Sequence, residues 1–187
     1  MRKALDVEES SFEPEHPRIA TALNNLGSLL RDMNRYGEAE PLMRRALAIE
    51  ESSFGPDHPR ASVTLNNLAS LLQSTNRLAE AEPIMRRALA IDEASFGPDH
   101  PSVAIRLNNL GSLLRDTGRF DEAEPLMRRA LAIDEACFGN EHPNVAVRLN
   151  NLAQLLQQTH RLHEAEPLMR RALAIDERSF EIGRAHV

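Results

Sequence analysis

Four sequence markers recur along this chain at one spacing, and that spacing constrains its architecture more than any other feature. His-Pro stands at His16-Pro17, His58-Pro59, His100-Pro101 and His142-Pro143, each step 42 residues. Asn-Asn stands at Asn24-Asn25, Asn66-Asn67, Asn108-Asn109 and Asn150-Asn151. Glu-Ala-Glu-Pro begins at Glu38, Glu80, Glu122 and Glu164, and Arg-Arg-Ala-Leu-Ala-Ile at Arg44, Arg86, Arg128 and Arg170. Four independent markers in one register define an internal repeat. The expected units are residues 17–58, 59–100, 101–142 and 143–181.

Each unit reads as two helices. In the first, over about Pro17 to Asp32, apolar residues fall at Ile19, Leu23, Leu26, Leu29 and Leu30, a helical spacing. Proline at the first position suits a helix start, where its missing N–H has no intrahelical partner anyway. The second helix is expected from about Glu38 to Ser53, with Ala39, Leu42, Met43, Ala46, Leu47 and Ile49 as its stripe and Pro41 in its first turn. Gly55 is expected to end it in a left-handed conformation, and Pro56 to prevent its continuation. No segment alternates with period two, so the chain reads as all-α. Small residues fall at Gly27, Ala69, Gly111 and Ala153 and allow close helix approach. A single such hairpin cannot bury its apolar faces, whereas stacked neighbours can, which predicts an α-solenoid.

Composition narrows the function. The net charge of −6 speaks against nucleic-acid binding, which calls for a basic patch. No apolar run approaches the roughly 18 residues of a membrane span. One cysteine, Cys137, excludes an internal disulfide framework and fits a reducing, cytoplasmic setting. With no Trp and one Tyr, aromatic cages and base-stacking platforms are not expected.

Leu26, Gly27, Tyr36, Ala39, Met43 and Ala46 resemble the tetratricopeptide repeat pattern, with Leu78, Phe120 and Leu162 at the Tyr36 position of the other units. The 42-residue length, the Gly-Pro-Asp-His-Pro loop, Leu-Asn-Asn-Leu and Glu-Ala-Glu-Pro-Leu resemble the kinesin light chain type of this repeat. The resemblance implies a right-handed superhelix of antiparallel helix pairs. Arrays of this kind also occur in bacterial proteins beside unrelated domains, so a binding mode is implied rather than a kinesin partnership.

Both ends read as cut, and only the last residues leave the register. Residues 1–16 align with the second half of a repeat plus its loop, as expected of a fragment of a longer, bacterial-type protein. Ile-Gly-Arg-Ala-His-Val at residues 182–187 can be encoded by ATCGGAAGAGCACACGTC, which resembles a sequencing-library adapter. That tail is expected to be translated adapter. Exposed repeat ends without polar caps are expected to favour self-association.

No enzyme, cofactor or metal site is read. One histidine per repeat cannot converge on a metal, which needs ligands within about 2.1 Å of one point. His16, His58, His100 and His142 read as helix-start and loop-packing residues. His160 and His163 lack a third ligand and read as surface residues. Cys137 has no neighbouring base and reads as a structural thiol. The Glu-Ala-Glu-Pro carboxylates read as partners of a helix dipole. The Arg-Arg pairs read as a solvated outer face.

The asparagines carry the functional reading. With Leu23, Leu26 and Leu30 buried, Asn24 and Asn25 fall on the flank and opposite face of the first helix. The resemblance places the first helices along a concave groove. Its lining is then Thr21, Val63, Ile105 and Val147; Asn24, Asn25, Asn66, Asn67, Asn108, Asn109, Asn150 and Asn151; Ser28, Ser70, Ser112 and Gln154; and Arg31, Gln73, Arg115 and Gln157. A carboxamide offers donors and an acceptor that match the backbone of an extended peptide. Asparagines can equally pin one hairpin to the next. Arg106 and Arg148 replace Ala22 and Thr64 and, with Arg31 and Arg115, favour an acidic ligand, offset in part by Asp32 and Asp116. The expected function is a protein–protein interaction scaffold that binds a peptide in this groove. The alternative is a spacer or regulatory arm of a larger signalling ATPase or protease.

Overall fold

In the computed structural model the backbone of residues 16–185 and the side chains of residues 16–180 are described. The half-repeat expected before residue 16 lies outside them. Of the tail expected over residues 182–187, only helical backbone to Ala185 falls within them. Among the described residues there are eight helices and no strand: α1 (Pro17–Asp32), α2 (Tyr36–Phe54), α3 (Pro59–Ser74), α4 (Leu78–Phe96), α5 (Pro101–Asp116), α6 (Phe120–Phe138), α7 (Pro143–Gln158) and α8 (Leu162–Ala185). They fall into two compact units, Met1–Ser95 and Phe96–Val187.

In the first unit α1 packs on α2, α2 on α3, and α1 also touches α3. Ala61 and Leu65 of α3 meet Ala88 and Ile91 of α4, with Leu47 and Ile84 packed against them. In the second unit α5 packs on α6, α6 on α7 and α7 on α8, and α5 touches α7. Consecutive helices thus pair, and neighbouring pairs stack.

The expected stripes form the core. Ile19, Leu23, Leu26 and Leu30 of α1 are buried, as are Ala39, Met43, Ala46 and Ile49 of α2. Leu29 is 41% exposed, while Leu71, Leu113 and Leu155 at the same repeat position are fully covered. The helix pairs approach most closely at Gly27 and Gly111. A Cβ on either would come within 2.8 Å of the Met43 or Met127 Cγ.

Helix starts use the histidines. The Nδ1 of His16 and of His58 accepts the N–H of Arg18 and Arg60 at 3.2 Å, and His100 and His142 accept from Ser102 and Asn144 at 3.1 Å. A side-chain acceptor satisfies one of the orphan N–H groups of a helix start. Three rings are held from behind by the preceding phenylalanine: Phe54 on His58, Phe96 on His100 and Phe138 on His142, at 4.6–4.8 Å between centroids.

First helices end by a different device. Asn34, Asn76, Gly118 and His160 hold φ of +58°, +59°, +75° and +59°. The Arg35 N–H then reaches the Leu30 carbonyl and the Asn34 N–H the Arg31 carbonyl, both at 2.8 Å. This is the Schellman closure, which satisfies the last carbonyls. Gly55 is a correction. Its φ of +93° comes with ψ of 158°, an extended conformation open essentially to glycine alone, and not the left-handed helical one. Pro41 is a second correction. The helix begins at Tyr36, so Pro41 stands inside it and not in its first turn, and no N–H answers the Gly37 carbonyl from that position.

The charged motifs clasp neighbouring repeats. Arg77 binds Glu80 of its own helix pair and Glu40 of the preceding one, each at 2.7 Å. Arg161 binds Glu164 at 2.7 Å and Glu124 at 2.6 Å. The Arg161 guanidinium holds both carboxyls below the usual carboxylate range. The second arginine of the Arg-Arg pair also reaches back at Arg87, Arg129 and Arg171. Arg87 binds Glu51 and the Pro56 carbonyl, and Arg171 binds Glu135 and the Asn140 carbonyl. The reading of these arginines as simply solvated is thereby corrected, and the Glu-Ala-Glu-Pro carboxylates prove to be ion-pair partners as well as helix-end charges.

Candidate functional site

The face expected to bind a partner is built by α1 and α3 in the first unit and by α5 and α7 in the second. Residues three, four and seven apart share one side of a helix, and exposure follows that rule. Thr21 and Asn25 of α1 are exposed, and Ser28 and Arg31 are half-buried. On α3, Val63 is exposed, and Asn66, Asn67, Ser70 and Gln73 are half-buried. On α5, Ile105 is exposed, and Asn109, Ser112 and Arg115 are half-buried. On α7, Val147, Gln154 and Gln157 are exposed, and Asn150 and Asn151 are half-buried.

The asparagine pairs divide into two roles. Asn24 and Asn108 are buried at 7% and 6% exposure. Asn67 Nδ2 donates to Asn24 Oδ1 at 3.2 Å, and Asn151 Nδ2 donates to Asn108 Oδ1 at 2.9 Å. The first carboxamide of one pair thus anchors the second carboxamide of the next. That bond uses one N–H of Asn67 or Asn151 and leaves the Oδ1 and the other N–H of a side chain whose orientation is already set.

The arginines correct the charge expectation. Arg148 is only 7% exposed, and its Nε donates to Asp134 Oδ2 at 2.8 Å. Arg106 is equally buried. Arg31 binds Asp32 at 2.9 Å, and Arg115 binds Asp116 at 2.9 Å and Gln154 at 2.8 Å. Burial and internal pairing consume the charges that were expected to recruit an acidic ligand.

Between α1 and α3 the face opens into a cavity of about 310 Å³ lined by Thr21, Asn24, Asn25, Glu50, Arg60, Val63 and Thr64. Four of these lie in the expected groove. Glu50, Arg60 and Thr64 were missed, although Thr64 breaks the arginine register of Arg106 and Arg148 and was the available signal. Glu50 is 6% exposed and Thr64 fully buried. Glu50 Oε2 and Thr64 Oγ1 have no hydrogen-bond partner. Burial pushes the Glu50 carboxyl above its usual range, with Thr64 and Arg60 pulling the other way.

The other candidate residues sit apart. The four capping histidines lie one per repeat. His160 ends α7, and His163 lies 3.8 Å from Glu164. The Cys137 thiol donates to the Asp99 carbonyl at 3.6 Å. Among the described residues no three His, Cys, Asp or Glu side chains are grouped to hold a metal ion, and no helix is long and apolar enough to cross a membrane.

Comparison with known proteins adds the following. The tetratricopeptide repeat family model matches residues 1–52, 19–94, 60–136 and 103–178. No curated protein sequence matches. Among solved structures, a Podosopora anserina putative kinesin light chain with nearly identical TPR-like repeats is similar at a TM-score of 0.74 and 22% identity, over 95% of this chain and 84% of that one. BtubC (BKLC) from P. vanneervenii is similar at a TM-score of 0.82 and 24% identity, over 95% of this chain and 71% of that one. At these identities the likeness is one of fold.

Proposed function

Because the chain belongs to the tetratricopeptide repeat family, whose repeats generally mediate protein–protein interaction, we propose that it binds an extended peptide segment of a partner protein along the first-helix faces. The proposed contacts are the exposed and half-buried residues of α1 with α3 and of α5 with α7. The repeat limits 17–58, 59–100, 101–142 and 143–181 belong to the same proposal.

One observation carries the reading. Asn67 and Asn151 are half-buried and each is fixed by one bond, to Asn24 and Asn108, which leaves the Oδ1 acceptor and the second N–H donor of each carboxamide for a ligand. A peptide backbone offers one N–H and one C=O per residue. Carboxamides fixed before binding lose little side-chain freedom when they meet it. Val63, Ile105 and Val147, exposed at 49%, 40% and 51%, add apolar contact beside them.

The test is a peptide-library selection on the chain, run beside the Asn67→Ala/Asn151→Ala double variant. Enrichment of a motif that the variant fails to bind, with helical circular dichroism unchanged, supports the proposal. Absence of any enriched peptide overturns it and favours the spacer or regulatory-arm reading.

A further inference from the structure

In the cavity between α1 and α3 the buried acid Glu50 has no arginine at the position from which Arg148 meets Asp134. In the second unit the equivalent acid, Asp134, receives the Nε of Arg148 at 2.8 Å. Glu50 occupies the Asp134 position one repeat pair earlier, and Thr64 occupies the Arg148 position. Threonine carries a neutral hydroxyl and brings no cation to the carboxylate. The result is a cavity of about 310 Å³ in which Glu50 Oε2 lacks a partner in good hydrogen-bond geometry, although the Thr64 hydroxyl lies close enough to favour its charged form. A buried acceptor left unsatisfied is costly, and a buried carboxylate more so.

We propose that this cavity is a specificity pocket for an arginine side chain of the bound peptide, which supplies from outside the guanidinium that Arg148 supplies within the chain. The inference rests on the reading that the face binds a peptide. The cavity opens beside Asn25 and Val63, so a peptide on the face passes over its mouth. A guanidinium presents five N–H donors in a planar fork, the geometry that suits a carboxylate. A lysine ammonium brings the charge without the fork. Arg60, which also lines the cavity, has its guanidinium 4.9 Å from the centre of the Phe54 ring. Its charge and that of Glu51 are the other ionic influences on Glu50. Burial is the main cause of the raised affinity of Glu50 for its proton, and Thr64 and Arg60 offset it only in part.

Two measurements test this and separate it from the parent reading. The first is an NMR titration of the chain with propylguanidinium, beside neutral propylurea. Saturable shifts of the Thr64, Val63 and Asn24 amide signals with propylguanidinium alone are expected. They should vanish in Glu50→Gln and in Thr64→Arg, which fills the pocket with the side chain that Arg148 shows the fold accepts. Equal shifts with propylurea, persistence in Glu50→Gln, or no shift at all overturns the pocket. The second compares selected peptides with their arginine→citrulline versions. The wild-type chain should prefer arginine by about tenfold or more, the scale of a hydrogen bond to a charged group, and Glu50→Gln should erase that preference. Peptides bound without such preference sink the pocket and leave the peptide face standing. Propylguanidinium bound at Glu50, with no peptide selected, does the reverse.

Discussion

Arg148 Nε donates to Asp134 Oδ2 at 2.8 Å, joining α6 to α7 through two side chains that are 8% and 1% exposed. Removing one partner of such a pair strands the other charge. Arg148→Ala should therefore cost about 3 kcal/mol. The added substitution Asp134→Leu should recover much of that loss, because an apolar pair has no charge to desolvate. Urea denaturation of both variants checks it. A double variant no more stable than Arg148→Ala would contradict this account.

Glu50 predicts a pH dependence of opposite sign to that of most carboxylates. Its folded pKa is raised by burial. The fold therefore favours the protonated acid. That contribution is full below the unfolded pKa and is lost as pH rises through the folded one. Glu50→Gln, which mimics the neutral acid, should gain stability relative to wild type as pH rises from the carboxylate range toward neutrality. Thermal denaturation at pH 4 and pH 7 measures it. A wild-type advantage at pH 7 would count against the assignment.

His160 takes a left-handed conformation at φ +59°, where Gly118 does the same job without a Cβ. His160→Gly should stabilise the second unit by about 1 kcal/mol, since a side chain in that region carries strain. The reciprocal change Gly118→Val should destabilise it. Melting temperatures that move the other way would show that the His160 side chain contributes a compensating contact.

Loss of a capping histidine should be felt locally. His58→Ala removes the acceptor for the Arg60 N–H and the ring stacked on Phe54. A cost of about 1 kcal/mol is expected for the cap, with faster amide hydrogen exchange at Arg60 and Ala61. His58→Asn, a good cap without the ring, should restore the protection of those amides.

Gly111→Ala tests the close approach. The new Cβ would meet the Met127 Cγ at 2.8 Å. Ala69 and Ala153 are nonetheless fully buried at the same repeat position. Methionine adapts to irregular gaps, and alanine in a helix interior gains about 1 kcal/mol over glycine. A net gain of about 0.5 kcal/mol is expected. A loss above 1 kcal/mol would mean that Met127 is held rigidly.

The repeat, its two helices and the course of α1 from Pro17 to Asp32 were legible in the sequence. Proline at the first position and apolar residues at helical spacing are local signals, and four copies reinforce them. The helix junctions were less legible. The second helix starts at Tyr36 because the Schellman closure delivers the chain there, and that closure depends on a φ at Asn34 which several residue types can adopt. The site was legible as a face but not as a set of partners. Asn67 and Asn24 lie 43 residues apart, and the sequence alone left pinning and peptide contact both open. Arg148 was read as a ligand contact because its position on the face was visible, whereas Asp134 beneath it belongs to another helix. Glu50 escaped for the same reason. Its significance lies in the residue that fails to meet it.

The clasps made by Arg77, Arg87, Arg161 and Arg171 each join a helix pair only to the one before it. Every described junction of this kind uses the same groups, so none depends on how many follow. Glycine and alanine alternate at positions 27, 69, 111 and 153, and arginine and glutamine at 31, 73, 115 and 157, so the sequence period is in effect two repeats. A gene coding for such a chain can gain or lose a two-repeat cassette by unequal recombination and still encode complementary neighbours at the new seam. Array length is then an inheritable variable, adjustable in a single genetic event without redesign of these clasps.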